Sequence, residues 1–208
     1  HIRRPTHRSR QYDADRFEVC NHKWTALADD QHGAAILNDS KYGLSVDRST
    51  IKLTLLKSAI APDPLADRGH QSFTYAIYPW VGALAQSRVV QEAYELNIPP
   101  LILNGSAKEG SIFQISASNI ILDTMKPAED GSTDLVLRLY ESMHATTQCI
   151  LTTSFPIQAA TQTNMLEEDI KPLHIHQNKI ELTFRPFEIK TIRLKLVDND
   201  LTLSGNTA

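Results

Sequence analysis

Cysteine is scarce. Cys20 and Cys149 are the two thiols, and they lie far apart in the chain. A small secreted fold held by several disulfides needs more of them. The sequence therefore predicts two free, mostly buried thiols and a reducing compartment, with one bridge between them left open. An excess of either charge is also missing: 21 Lys and Arg stand against 24 Asp and Glu, a formal charge of −3. Nucleic-acid binders carry a basic face, so no nucleic-acid partner is expected. The most basic stretch, HIRRPTHRSR, holds Arg3, Arg4, Arg8 and Arg10 with no interleaved aromatic, and reads as a solvated segment. No apolar run reaches the ~18 residues of a membrane helix, so no membrane partner is expected. G-x-G-x-x-G, a phosphate loop and the nucleophile elbow G-x-S-x-G are all absent. The chain starts at His1, without Met and without a hydrophobic leader, and reads as an internal piece of something longer.

What remains is a chain of 208 residues, 41% hydrophobic and 22% charged, enough for one large β domain or two small ones. Alternation with period two recurs along it. RFEVCNHKW sets Phe17 and Val19 against Glu18 and Cys20. TIKLTLLKS sets Ile51, Leu53 and Leu55 against Lys52 and Thr54. QSFTYAIYPW puts Phe73, Tyr75 and Ile77 on one face, and DLVLRLYES puts Leu135, Leu137 and Leu139 on one side. In NKIELTFRPFEIKTIRLKL the apolar parity flips after Arg185-Pro186 and again after Lys190-Thr191, so two or three short strands are expected there. Helix signals are few: SRVVQEAYELN (87–97), ended by IPP, and a weaker turn or two at TNMLEED. Short strands between Gly, Pro and Asp turns predict an all-β fold, a β-sandwich whose facing sheets bury these apolar parities. The best boundary falls in NIPPLILNGSAKEGS (97–111), and VDNDLTLSGNTA is expected to fray.

Chemistry is harder to place. His174 and His176 have the i, i+2 spacing that puts two imidazoles on one strand face, but a metal site needs further ligands that the sequence does not name. Carboxylates are plentiful, and most sit in polar turns where Asp caps its own backbone. The one unusual stretch is AAILNDSKYG (34–43), where a buried-looking strand runs into Asn38, Asp39, Ser40, Lys41 and Tyr42. As an ordinary turn, it needs only Asp39 to accept nearby N–H groups. As a binding rim, it offers a carboxylate, an ammonium and a tyrosine to sugar hydroxyls. Spacing leaves both open.

Six segments together resemble a known family: RPTHRSRQYDADRFEVCNHKW, AAILNDSKYG, LTLLKSAIAPDPLADRGHQSFTYAIYPW, VVQEAYELN, LVLRLYES and FRPFEIKTIRLKL. In this order they resemble the C-terminal part of glycoside hydrolase family 38 α-mannosidases, on the cytosolic and fungal-vacuolar branch, from about residue 3 to 196. The resemblance implies a β-sandwich portion at 1–104, a smaller terminal β-sandwich at 111–197 and a flexible tail at 198–208. It implies a zinc-dependent, retaining parent enzyme acting on mannose-containing oligosaccharides, cytoplasmic, or vacuolar if fungal. Zinc and the catalytic carboxylates belong to an N-terminal barrel that this chain does not resemble. No catalytic residue, metal ligand or cofactor is therefore expected here, and the chain alone is expected to be inactive. Asn38, Asp39, Lys41, Tyr42, Asp63, Asp67 and His70 fall in family motifs and are implied at the mannose rim or the interface with the parent's own barrel. Ser40 and Trp80 stand where the family often has Cys and His. Two other readings stay open: a stand-alone carbohydrate-binding sandwich, for which aromatics at 7% are sparse, and a structural module whose open edges form a homo-oligomer.

Overall fold

Alternating strands and Asp/Gly turns build two separate β assemblies. The structure, a computed structural model, describes residues 1–106 and 109–197, and the chain divides into His1–Asn104 and Gly105–Ala208. The tail expected at 198–208 lies outside the described residues.

The first unit begins with a short helix α1 (Gln11–Asp15), which the sequence reading missed because QYDAD has no apolar stripe. Local bonds hold it: the Asp13 carboxylate accepts the Arg10 N–H, and Gln11 donates to Asp15. Six strands follow: β1 (Glu18–Cys20), β2 (Trp24–Ala28), β3 (His32–Asn38), β4 (Gly43–Asp47), β5 (Thr50–Leu53) and β6 (Tyr75–Val81). They form two antiparallel three-stranded sheets, β1-β4-β5 and β2-β3-β6. Helix α2 (Val89–Asn97) lies where the sequence placed it and stops before Pro99-Pro100. It packs on β2 and β3, burying Val89, Val90 and Ala93 with Ala35 and Leu37. Near the same sheet's end Trp80 crosses its register partner Gly33, where an added Cβ would come 2.0 Å from the indole.

Four expectations need correction here. The strand read over 50–58 ends at Leu53, and the strand read over 71–80 begins only at Tyr75. The Phe73, Tyr75, Ile77 parity is not the core parity. Tyr78 pairs with Ala35 and Ala76 with Leu37, so Ala76, Tyr78 and Trp80 turn to the α2 side. Tyr75 and Ile77 are left 54% and 72% exposed. Cys20 is exposed rather than buried, while Cys149 is buried; both are free.

The second unit holds β7 (Phe113–Ile115), β8 (Ile120–Pro127), β9 (Leu135–Glu141), β10 (Thr147–Thr153), β11 (Ile157–Thr163), β12 (Asp169–Leu173), β13 (Ile175–His176), β14 (Lys179–Phe184) and β15 (Ile189–Leu196). A four-stranded sheet β13-β14-β10-β7 faces a five-stranded sheet β12-β11-β15-β9-β8. Leu151, Ile180, Leu182 and Phe184 of the first meet Leu137, Leu139, Ile192 and Leu194 of the second in one core. Each such side chain contributes about 1.5–3 kcal/mol by leaving water. The break at Arg185-Pro186 is present, and it carries the chain from one sheet to the other. The second break, after Lys190-Thr191, is absent: β15 pairs with β9 in unbroken register through it. The parity flip there reflects apolar Phe187 and Ile189 on the outside, both exposed. TNMLEED is a tight turn and not a helix, because the Asn164 side chain accepts the N–H groups of Leu166 and Glu168.

Candidate functional site

The stretch 34–43 is a crossing between sheets. β3 ends at Asn38, and β4 begins at Gly43 in the other sheet. Asn38 is 1% exposed. Its Oδ1 accepts the Lys41 N–H at 2.8 Å, its own N–H donates to the Lys23 carbonyl, and its carbonyl accepts Nδ2 of Asn97 at 3.0 Å. Its Nδ2 has no acceptor among the described residues. Asn38 thus fixes the turn from inside.

The next residues are held as firmly. The Asp39 carboxylate accepts the Thr74 N–H at 3.0 Å and the Ser40 hydroxyl at 2.8 Å. The Thr74 N–H foremost, with the Ser40 hydroxyl, holds Asp39 below the usual carboxylate range. Buried Asn21 receives the turn from the other side: its Nδ2 donates to the Lys41 carbonyl, its N–H to the Tyr42 carbonyl, and its Oδ1 accepts the Thr25 hydroxyl. With its backbone fixed in this way, the Lys41 side chain lays its ammonium 4.6 Å from the centre of the Phe73 ring. Tyr42 is exposed beside His22, their rings 4.9 Å apart.

The second predicted stretch is partly joined to the first. Asp67, at φ 60°, accepts the N–H groups of Ser58 at 2.9 Å and Lys57 at 3.1 Å. Those two bonds, with the Lys41 ammonium nearby, lower its pKa. Asp63 is exposed and caps the Leu65 N–H at 2.8 Å. His70 is exposed on the same excursion. Asn38, Asp39, Lys41, Tyr42 and Asp67 therefore belong to one neighbourhood, and no hydrogen bond among the described residues ties Asp63 or His70 to it. Sequence reasoning missed Asn21, Thr25, Thr74 and Asn97. No local pattern marks them, since their partners lie up to 59 residues away.

A general acid needs a raised pKa, whereas Asp39 and Asp67 are both lowered. The most deeply buried carboxylate, Glu141, is 0% exposed. Burial pushes its pKa up, but the N–H groups of Phe187 (3.0 Å) and Met143 (2.7 Å) and Nδ2 of Asn119 (2.9 Å) outweigh that and lower it. It ties loops together and is saturated. Nor do metal ligands converge: among the described residues no three His, Cys, Asp or Glu side chains are grouped to hold an ion. His174 falls between β12 and β13 and only His176 lies on a strand, so the i, i+2 spacing does not act as a strand pair. Among the described residues, no grouping fits a zinc site.

Comparison with known proteins locates the chain. Residues 119–192 match the glycosyl hydrolases family 38 C-terminal beta sandwich domain, and residues 1–65 match the glycosyl hydrolases family 38 C-terminal domain. The chain is 40% identical over 204 residues to Alpha-mannosidase 2C1 of Homo sapiens, covering 94% of this chain and 20% of that protein. It is 38% identical over 203 residues to Alpha-mannosidase G of Dictyostelium discoideum, covering 93% and 19%. Against the Alpha-mannosidase of Saccharomyces cerevisiae it is 34% identical over 220 residues, covering 92% and 20%. The chain thus spans about a fifth of the length of these relatives. A solved α-mannosidase from Enterococcus faecalis V583 shares the fold with a TM-score of 0.67 at 20% identity, over 86% of this chain and 21% of that one.

Proposed function

We propose, for a chain that belongs to glycosyl hydrolase family 38 through its two C-terminal domain matches, that it is the supporting β region of a zinc-dependent, retaining α-mannosidase. In this reading the parent hydrolyses terminal α-D-mannosyl residues of oligosaccharides, in the cytoplasm or, in a fungus, the vacuole. His1–Asn104 belongs to the large sandwich and 111–197 is the small terminal one. Retention needs a close carboxylate pair, and zinc needs converging ligands; both fall to a barrel outside this chain. The observation that carries the reading is the identity of 34–40% to α-mannosidases of three distant organisms, sustained over at least 92% of the chain. The backbone N–H groups that the Asp39 and Asp67 carboxylates accept support a structural role for both.

Within that role, the turn after β3 stands at the mannose rim or the barrel interface. Asn38, Asp39 and Asp67 shape the backbone, Lys41 lies half-buried with its ammonium over Phe73, and Tyr42 presents its side chain outward, with Asp63 and His70 on the neighbouring excursion. Turnover of an aryl α-mannoside tests the reading. The 208-residue chain alone should be inactive and the full-length parent active; turnover by the chain alone at the parent's rate ends it. In the parent, Lys41→Ala should raise KM by about 2–10-fold with kcat nearly unchanged, the pattern of lost uniform binding.

A further inference from the structure

The chain contains one Asn-Gly pair, Asn104-Gly105, and one Asp-Gly pair, Asp130-Gly131. Such pairs have a chemistry of their own. Glycine lacks the side chain that shields a backbone nitrogen, so its nitrogen can reach the side-chain carbonyl carbon of the residue before it. What holds that side chain decides whether it does. Asn104 and Gly105 are exposed, in the segment 98–112 between α2 and β7. Gly105 has φ 151°, and a Cβ built on it would meet nothing within 4 Å. No hydrogen bond among the described residues engages the Asn104 side chain. Asp130, by contrast, accepts the Ser132 N–H at 3.0 Å and the Arg193 guanidinium at 2.5 Å. These partners clamp its carboxylate and keep it ionised, a poor electrophile. Asn21, Asn38, Asn97, Asn119 and Asn164 all engage their side-chain amides in hydrogen bonds. Asn178 is followed by Lys179, whose side chain hinders attack as glycine's hydrogen does not.

We propose that Asn104-Gly105 is a self-modifying site, at which the exposed asparagine is converted with time to aspartate and isoaspartate. The Gly105 nitrogen gives its proton to solvent base and attacks Cγ of Asn104. The new N–C bond closes a succinimide, the Cγ–Nδ2 bond breaks, and ammonia leaves with a proton from solvent. Water then adds to either ring carbonyl and opens the ring. One opening gives aspartate. The other routes the main chain through Cγ, giving isoaspartate and an extra methylene in the backbone. Water is the only co-reactant. The product places a carboxylate in residues 98–106, a stretch without a charged side chain. It also lengthens the connection between two separately folded units. The site thus marks the age of the chain, in a form readable by an S-adenosylmethionine-dependent carboxyl methyltransferase specific for isoaspartate. It belongs to this chain itself, whatever the activity of the parent enzyme.

The test ages the folded 208-residue chain in mildly alkaline buffer and sequences its tryptic peptides by mass spectrometry. Isoaspartate is counted by labelled methyl transfer from S-adenosylmethionine with protein isoaspartate methyltransferase. Asn104 should show the amide-to-acid mass change about tenfold faster, or more, than Asn97 in the same peptide. Methylatable isoaspartate should appear in step, and faster as pH rises, because the attacking nitrogen must lose its proton. Asn104→Gln lengthens the side chain and closes a ring poorly, and Gly105→Ala shields the nitrogen. Each should slow the change at this position by about tenfold or more. Melting should stay that of the unsubstituted chain, since both positions are exposed. Asp130 should yield no methylatable isoaspartate in the folded chain. An Asn104 that stays intact overturns the proposal, and so does a rate there no higher than at Asn97. A rate indifferent to Gly105→Ala overturns it too, because the glycine nitrogen would then take no part. Isomerisation of Asp130 in the folded chain as fast as the change at Asn104 removes the structural contrast and counts equally against it.

Discussion

In Gly105–Ala208 two complete sheets face each other, and Phe184, Leu137, Leu139, Leu151, Ile180, Ile192 and Leu194 are wholly buried between them. In His1–Asn104 the sheets have three strands each, and burial concentrates under α2 and around Leu44, while Tyr75 and Ile77 stay in water. Composition does not separate the two units, since both are rich in alternating apolar residues. Closure does. Where every apolar parity finds a facing sheet, alternation reads directly as a core. Where a parity lacks a facing sheet, the same alternation leaves apolar side chains such as Tyr75 and Ile77 in water.

The largest break in that comparison should come from Phe184→Ala. It removes a fully buried ring from a closed core, and about 3–5 kcal/mol should be lost from the second unit. The matched change, Ile77→Ala in the first unit, should stay within about 0.5 kcal/mol. Urea denaturation of both variants measures the contrast. A cost of several kcal/mol at Ile77 would mean that this side chain is buried in solution and that the contrast between the units fails.

Glu141→Gln should come next, because it places an amide NH₂ where a carboxylate accepts the N–H groups of Phe187 and Met143 and Nδ2 of Asn119. Leaving one such donor unpartnered costs about 1–3 kcal/mol. Gly33→Ala probes the first unit where it is tightest, since the new methyl meets the Trp80 ring. Overpacking of this kind costs about 1–3 kcal/mol, seen as a lower urea midpoint with altered tryptophan fluorescence.

These positions also show what the sequence made legible. The pattern KIELTF gave a strand and its buried face correctly, because its neighbours complete the core. The pattern YAIYPW gave the strand but the wrong core face, because α2, joined to the sheet through Ala35 and Leu37, chooses the face and period two does not. Parity misled again at Ile189, where an apolar residue simply lies outside. At the candidate site the turn after Asn38 could be read from NDSKYG. The hold on it could not, because Asn21, Thr74 and Asn97 reach it across 20, 35 and 59 residues. Long-range hydrogen bonds leave no periodic trace.

The smallest effect expected is on the acid limb of stability, and it still tells the units apart. The Ser132 hydroxyl and N–H, with the Arg193 guanidinium at 2.5 Å, hold Asp130 of the second unit down to about 2. In the first unit Asp39 is lowered chiefly by the Thr74 N–H. For both, the folded pKa lies below the ordinary aspartate value of 3.8, so the unfolded chain binds more protons between the two values. The stabilisation is therefore complete above that ordinary value and is lost as pH falls through the folded value. Both carboxylates are exposed, so each contribution is small and weakens with salt. Urea midpoints of Asp130→Asn and Asp39→Asn between pH 7 and 2 should show each variant flattening the acid limb of its own unit. The Asp130 limb should extend down to about pH 2, and an Asp130→Asn profile with the unsubstituted chain's slope in that range would place the unit's acid sensitivity at its other lowered carboxylates, Glu141, Glu167 and Glu188, instead.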